Sequence, residues 1–456
     1  TEIMPWDLSA QFMGYELTSA RGYALIICVL TSLYTVKGGM HSVVATEVMQ
    51  FVVMTIGCIG VGIVAYNSVS IEQLNAVIPN GWKDLRFGWN LDLNWSETPF
   101  PQVNEKIASD GFTLFGGLFV LMVLKGILAS IAGPVPSYDM QRILAAKKPS
   151  EAAKMSFLTV AVLYIPRYFM VVGFTVLALV YLGPEIAAMG PSIDFEKILP
   201  MTMNAHLPVG LKGIMLAGFL AAFMGTFAAF INAAPAYIVN DIYKKYINPL
   251  ASDKRLVRLS ILSSLTLVFV GIVFGLNAGS LNSLILWLSS ALYGGYVAAN
   301  VLKWVWWRFT GAGYFWGMLF GLIASTVKLF FFPEYVDIFV FPLIFAFSLL
   351  GCVIGTYATP LPNPEAVAAF YKQTRPWGFW GPVKTSVMAK DPSFVPNTHF
   401  KRDGINVLVG MVWQMAQLLI PVYFMIRENA QMVIWSAVFL GCSYLLKKYW
   451  WNTLED

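Results

Sequence analysis

The chain has 456 residues, of which 57% are hydrophobic and only 12% charged, with a mean hydropathy of +0.66 and a formal net charge of +5. Soluble domains run near half apolar and a quarter charged, so a water-soluble globule is excluded and a membrane protein is implied. Cys28, Cys58, Cys352 and Cys442 fall in apolar runs without paired or metal-ligand spacing, which reads as packing rather than as a disulfide or metal framework.

About eleven stretches reach the ~17 to 25 residues a helix needs to cross the hydrocarbon core. In chain order they are Ser19 to Val36, Val43 to Tyr66, Phe112 to Ser137, Ser156 to Leu182, Val209 to Ile238, Arg258 to Leu276, Leu281 to Lys303, Tyr314 to Phe332, Val336 to Tyr357, Ile405 to Ile426 and Val433 to Leu446. The expected fold is therefore an all-α, polytopic transmembrane helical bundle. The run Gly57 to Gly62, GCIGVG, lies inside one of these spans with no strand before it, so it serves helix packing rather than nucleotide binding.

Loop charge alternates along this order. Lys37, the Arg142 to Lys154 loop, the Lys244 to Arg258 loop, Lys303 with Arg308, and Lys447 with Lys448 make one set basic; the intervening loops, with Glu72, Asp84, Asp92, Glu97, Glu185, Asp194, Glu334 and Asp337, are acidic. Basic loops stay cytoplasmic, which puts the amino end outside and the carboxyl end inside a plasma membrane. The outer loop Asn67 to Asp110, with Trp82, Trp89 and Trp95, is either a lid or an ordered cap. The segment Thr359 to Asp403 mixes prolines with Trp377, Trp380, Lys372 and Arg375, which suits an interfacial linker, or a surface for a soluble partner.

Lys125 sits near the middle of the third span, where a lysine costs ~2.5 to 3.5 kcal/mol on insertion scales. Arg167, after Pro166 in the next span, falls at a similar depth. No carboxylate in the spans is expected as deep, because Glu47 lies near a cytoplasmic end. The countercharge then comes from a substrate, another chain or further helices; the alternative is a polar cavity in which each cation bonds backbone carbonyls. Gly133, Pro134 and Pro136 break the end of the third span and free carbonyls that a cavity or neighbouring protein must satisfy. The histidines, His41, His206 and His399, are scattered, and no nucleophile, base or metal cluster is gathered, so an enzyme is the least favoured class.

Three motifs carry a resemblance. Tyr34, Gly38, Gly39, Val43, Val44, Thr46, Glu47 and Gln50 in YTVKGGMHSVVATEVMQF, the run QRILAAKKPSEAAK from Gln141, and Asn232 with the ending Asn240 to Tyr243 resemble, in order, the sodium/solute symporter family. The similarity runs from about Ser19 to Lys303. It implies a LeuT-type inverted repeat, here partial, with sodium as the coupling ion and no other cofactor.

In that family a small residue and two adjacent hydroxyl residues on core helix eight help hold sodium, and those positions fall on Ala222, Gly225 and Thr226. Residues three and four apart share a helix face, so the Ala222 carbonyl and Thr226 hydroxyl could converge on one cation, whereas Gly225 offers no side-chain oxygen. Without the resemblance, Gly225 and Thr226 read as residues that allow close helix packing. Pro136 and Ser137 stand where the family often has Asn-Gln, and Ala129 and Ala132 replace polar groups, which disfavours a sugar substrate.

The implied organisation is a symporter core over 1–310 beginning at about the fourth core helix, accessory transmembrane helices over 311–358, a cytoplasmic linker over 359–403, and C-terminal helices over 404–456. Helices counted before that point would come from an upstream segment or a companion chain. The expected function is sodium-coupled symport of a small, anionic organic solute, with Lys125, Ala129, Ser130 and Arg167 toward the substrate and Ala222, Gly225 and Thr226 toward the cation. The alternatives are a sodium-independent transporter, or a non-transporting subunit or sensor with a degenerate ion site. No nucleic acid partner is expected.

Overall fold

The computed structural model describes residues 6–12, 15–85, 88–133, 143–188, 195–276 and 295–454. Pro134, Pro136, Ser137, Asp139, Gln141, Arg142 and Asp194 lie outside them, as do the side chains of Tyr34, Val43 and Asn232. A short antiparallel hairpin, β1 (Ala10–Phe12) with β2 (Tyr15–Leu17), precedes the bundle. The long helices are α1 (Ser19–Ser68), α2 (Phe115–Ala132), α3 (Pro149–Tyr181), α4 (Val209–Ala236), α5 (Asp253–Leu276), α6 (Gly311–Phe331), α7 (Asp337–Tyr357), α8 (Phe400–Met425) and α9 (Asn429–Tyr449).

Among the described residues nine helices are long and apolar enough to cross a membrane, and they match nine of the eleven expected stretches. The first two stretches join into the single helix α1, in which Ser19–Leu33 is a shorter apolar part and Thr46–Ser68 the spanning part. No proline interrupts the join, and a helix tolerates Gly38 and Gly39 at ~1 kcal/mol each. The Leu281 to Lys303 stretch falls largely outside the described residues, which resume as a helix over 295–305.

α1 packs against α4 and α3, α3 against α8, α8 against α9, and α6 against α7. The core where the carboxyl ends of α1 and α3 meet gathers Ala65, Val176, Leu177, Tyr423 and Ile426. Arg427 at the turn between α8 and α9 locks this end by donating to the carbonyls of Tyr66 (3.0 Å) and Val69 (3.2 Å). In the described part of the Asn67 to Asp110 loop, Ser70 and Gln73 cap its first helix, Ile71–Val77, reciprocally, and Trp95 is buried with Phe100 against Ala178 and Leu182 of the α3 end.

Prolines inside the helices leave carbonyls that neighbours take up. Pro235 in α4 has no amide to donate to Ile231, and the Ser264 hydroxyl of α5 donates to that carbonyl instead, at 3.3 Å. Beyond it the chain widens to π-helical backbone over Tyr237–Ile247. At the end of α2, Gly133 turns with φ +79°, and the Trp304 indole donates to the Ala132 carbonyl at 3.1 Å. That carbonyl is thus satisfied by packed protein.

The α6–α7 hairpin is the tightest contact. A Cβ on Gly317 would lie 2.1 Å from Cys352 Sγ, and one on Gly355 would lie 2.7 Å from the Ala312 carbonyl oxygen. The hydroxyl of buried Ser348 lies 3.0 Å from the Gly295 carbonyl and 2.9 Å from that of Gly317, sharing its proton between two backbones. Lys328 is buried and paired with Asp337 at 2.9 Å beside the turn that joins the two helices.

The Thr359 to Asp403 segment folds as two short helices, Pro364–Thr374 and Gly381–Lys390, around Tyr371, Trp380, Val383 and Val387. Trp380 Nε1 donates to the Trp304 carbonyl at 2.8 Å, and Lys372 clamps Asp391 at 2.8 Å. Gly378, at φ +110°, brings its backbone against Val305, where a side chain would not fit.

Candidate functional site

The α1–α4 seam is antiparallel and built rung by rung from glycines facing long side chains. A Cβ on Gly60 would meet Leu211, one on Gly57 would meet Met215 Sδ at 2.7 Å, and one on Gly218 would meet Met54 Sδ at 2.8 Å. The last of these rungs changes chemistry. At Gly225 the facing atoms are Gln50 Oε1, 3.1 Å from where a Cβ would stand, and Glu47, whose Cγ and Oε1 lie at 3.6 and 3.8 Å. Glu47 and Gln50 are three apart on α1 and so share the face that meets α4.

Gly225 is buried in this rung, while Ala222 and Thr226, one turn apart, lie on an adjoining exposed face of α4. The structure therefore brings Gly225 to two side-chain oxygens of α1 and sets the Thr226 hydroxyl one residue away. Carboxylate, amide, hydroxyl and carbonyl oxygens are the donors a hard cation takes. Sequence reasoning left Glu47 and Gln50 out of the site. The signal was their spacing within the Tyr34 to Phe51 motif, which needed only the α4 register to become a site.

Lys125 is half-buried on α2, its ammonium 6.0 Å from the centre of the Phe341 ring of α7, and Asp337 is near enough to act on it electrostatically. Asp337 itself is paired with Lys328 at 2.9 Å. A helix directs side chains toward its amino end, and Asp337 sits in the first turn of α7. Ala129 is half-buried; Ser130 is exposed and donates to the Gly126 carbonyl at 2.9 Å, and the space beside Gly126 is open. Arg167 is exposed on α3 and acts on the neighbourhood of Cys58 in α1. The two cations belong to different neighbourhoods, one beside α7 and the other toward α1.

The Sodium:solute symporter family model matches residues 8–321. The chain belongs to the sodium:solute symporter family. Sodium/glucose cotransporter 4 of Danio rerio is 26% identical over 347 residues, covering 70% of this chain and 49% of that protein. Sodium/myo-inositol cotransporter 2 of Homo sapiens is 26% identical over 321 residues, covering 66% of this chain and 46% of the relative. The chain spans about half the length of the curated relatives it matches. A Na+-coupled sialic acid symporter, solved substrate-bound and outward-open, superposes with a TM-score of 0.55 at 16% identity, covering 77% of this chain and 69% of that one. That likeness establishes the fold, a LeuT-type symporter bundle. The rung of Glu47, Gln50 and Gly225 lies inside the family match, and α7 to α9 lie beyond it.

Proposed function

We propose that this chain carries out sodium-coupled symport of a small, anionic organic solute by alternating access, with the ion held at the α1–α4 rung. The observation that carries the proposal is the placement of Glu47 and Gln50 against Gly225, beside Thr226. Gly225 alone favours a degenerate, non-transporting scaffold. The two α1 side chains answer that reading, because they put oxygens where the glycine has none. Ala222 and Thr226 remain open on their own face, and a helix from another segment or a companion chain would close it. The basic loops set the carboxyl end in the cytoplasm of a plasma-membrane protein.

For the solute, Lys125 and the open space at Gly126 and Ser130 offer one cationic surface, and Arg167 offers another. Uptake by the intact chain in proteoliposomes tests both halves. Thr226→Val and Glu47→Gln are each expected to weaken apparent sodium affinity about tenfold, the scale of one lost ligand worth ~1.4 kcal/mol. Sodium dependence that survives both substitutions removes the rung from the mechanism. Glucose, myo-inositol and sialic acid, named for relatives, form the substrate panel; the acid is expected to be taken up in preference to the neutral polyols. Lys125→Met and Arg167→Met, tested singly, are expected to lower uptake of the acid, and whichever leaves it unaltered is excluded from the site.

A further inference from the structure

At the end of the bundle that carries Lys154 beside Trp451, a groove of about 850 Å³ opens between α3, α8 and the end of α9, under the turn that leads into α8. Its α3 wall, with Phe157 and Val160, lies inside residues 8–321, and the rest of its lining, from Thr374 onward, lies beyond them. Its rim and its floor differ in chemistry. Arg375, His399 and Arg402 line the rim, with Asp403 as the one carboxylate among the lining residues, paired to Arg402 at 3.0 Å. Arg375 holds a left-handed backbone at φ 45°, with its guanidinium 5.6 Å from the centre of the Phe394 ring.

The floor sets Val160, Val407 and Leu446 as an apolar strip beside the polar Ser156, Asn406 and Gln414, and at Gly410 a Cβ would meet nothing within 4 Å. One wall is the Phe157 ring stacked on Trp413 at 4.6 Å, with Trp450 at 5.2 Å. Tryptophans gathered beside lysines mark the level of lipid headgroups.

A soluble anion has no use for the apolar strip, and a neutral acyl chain has none for two arginines. We propose that this groove binds an anionic phospholipid of the leaflet it faces, with the phosphate at Arg375 and Arg402 and an acyl chain along Val160, Val407 and Gly410. Basic pockets between transmembrane helices recognise acidic headgroups in this way, and the amino end of α8 adds its dipole to the rim.

Native mass spectrometry of the intact chain, loaded with phosphatidylglycerol or phosphatidylcholine of identical acyl chains, tests the proposal. Phosphatidylglycerol is expected to be retained about tenfold better. The Arg375→Gln, Arg402→Gln double variant is expected to bring that ratio to about one while keeping phosphatidylcholine retention. Gly410→Leu, which fills the floor, is expected to lower retention of both lipids several-fold with the ratio preserved. Equal retention of the two lipids by the unaltered chain, or a preference that survives the double variant, would overturn the proposal. So would displacement of phosphatidylglycerol by millimolar inorganic phosphate, which identifies a soluble-anion site, or a lipid-free dimer, which identifies a second copy as the occupant.

Discussion

The α1–α4 seam and the α6–α7 hairpin both rest on glycines, yet the glycines serve different ends. In α6–α7 they let backbones approach until a methyl would overlap Cys352 Sγ or the Ala312 carbonyl, and the polar groups there, the shared Ser348 hydroxyl and the Lys328–Asp337 pair, hold the two helices to each other or to the neighbouring backbone. In α1–α4 they accept long side chains instead, first Leu211, Met215 and Met54, and finally Glu47 and Gln50. A glycine thus removes volume, and the residue opposite decides whether that volume becomes van der Waals contact or a polar niche. Sequence spacing alone gives no distinction between the two, since small residues recur at helical intervals in both helices.

Substitutions at the two seams should separate these roles. The largest effect is expected from Gly317→Leu, whose side chain has no room against Cys352 and Ser348; it should cost about 3 kcal/mol or more and lower the thermal midpoint in detergent sharply. If the protein melts as before, the hairpin is not the close contact described. Asp337→Asn comes next. It strands the buried Lys328 ammonium and is expected to cost about 3 kcal/mol in denaturant titration, with much of the loss recovered when Lys328→Met is added.

Gly225→Ser should behave unlike Gly317→Leu. Its Cβ needs the flexible Gln50 amide to move by only a few tenths of an ångström, so stability should change by less than about 1 kcal/mol. Its hydroxyl adds an oxygen to the rung, and apparent sodium affinity in uptake should rise several-fold. A fall would show the rung to be packing, like the hairpin.

The smallest effect lies outside both seams. Asp391 is held below the usual carboxylate range, first by its hydrogen bond from Lys372 and then by that from Ser393. A depressed folded value means the clamp contributes fully above the unfolded value near ~3.9 and is lost as pH falls through the folded one. Amide exchange in Gly381–Lys390 should therefore rise below about pH 4 in the unaltered chain, and Asp391→Asn should remove that pH dependence.

The spans were legible because burial in lipid leaves a long apolar run, and helix ends such as Val209, Leu276 and Tyr357 fall where hydropathy and turn residues change. The join of α1 was not, because the basic, glycine-containing stretch around Lys37 to Gly39 looks like a loop although nothing in it breaks a helix. Lys125 could be recognised as costly, but its neighbour Asp337 lies more than two hundred residues away and only packing discloses it. Thr226 and Gly225 were singled out by resemblance alone; the facing of Glu47 and Gln50 onto Gly225 needed the antiparallel register of two helices far apart in sequence. The Thr359 to Asp403 segment looked irregular by its prolines, yet Pro364 and Pro382 stand at helix starts, where a missing amide costs nothing.

Ser348 lies beyond residue 321, where the family match stops, but its hydroxyl reaches Gly295 before that point and Gly317 within it. The 295–305 helix, α6 and α7 are thereby riveted at one buried atom. With Gly295 also packed against the Met318 and Leu322 backbone of α6, the contact runs unbroken across residue 321, so the limit of shared ancestry visible in the sequence is not a gap in the packing.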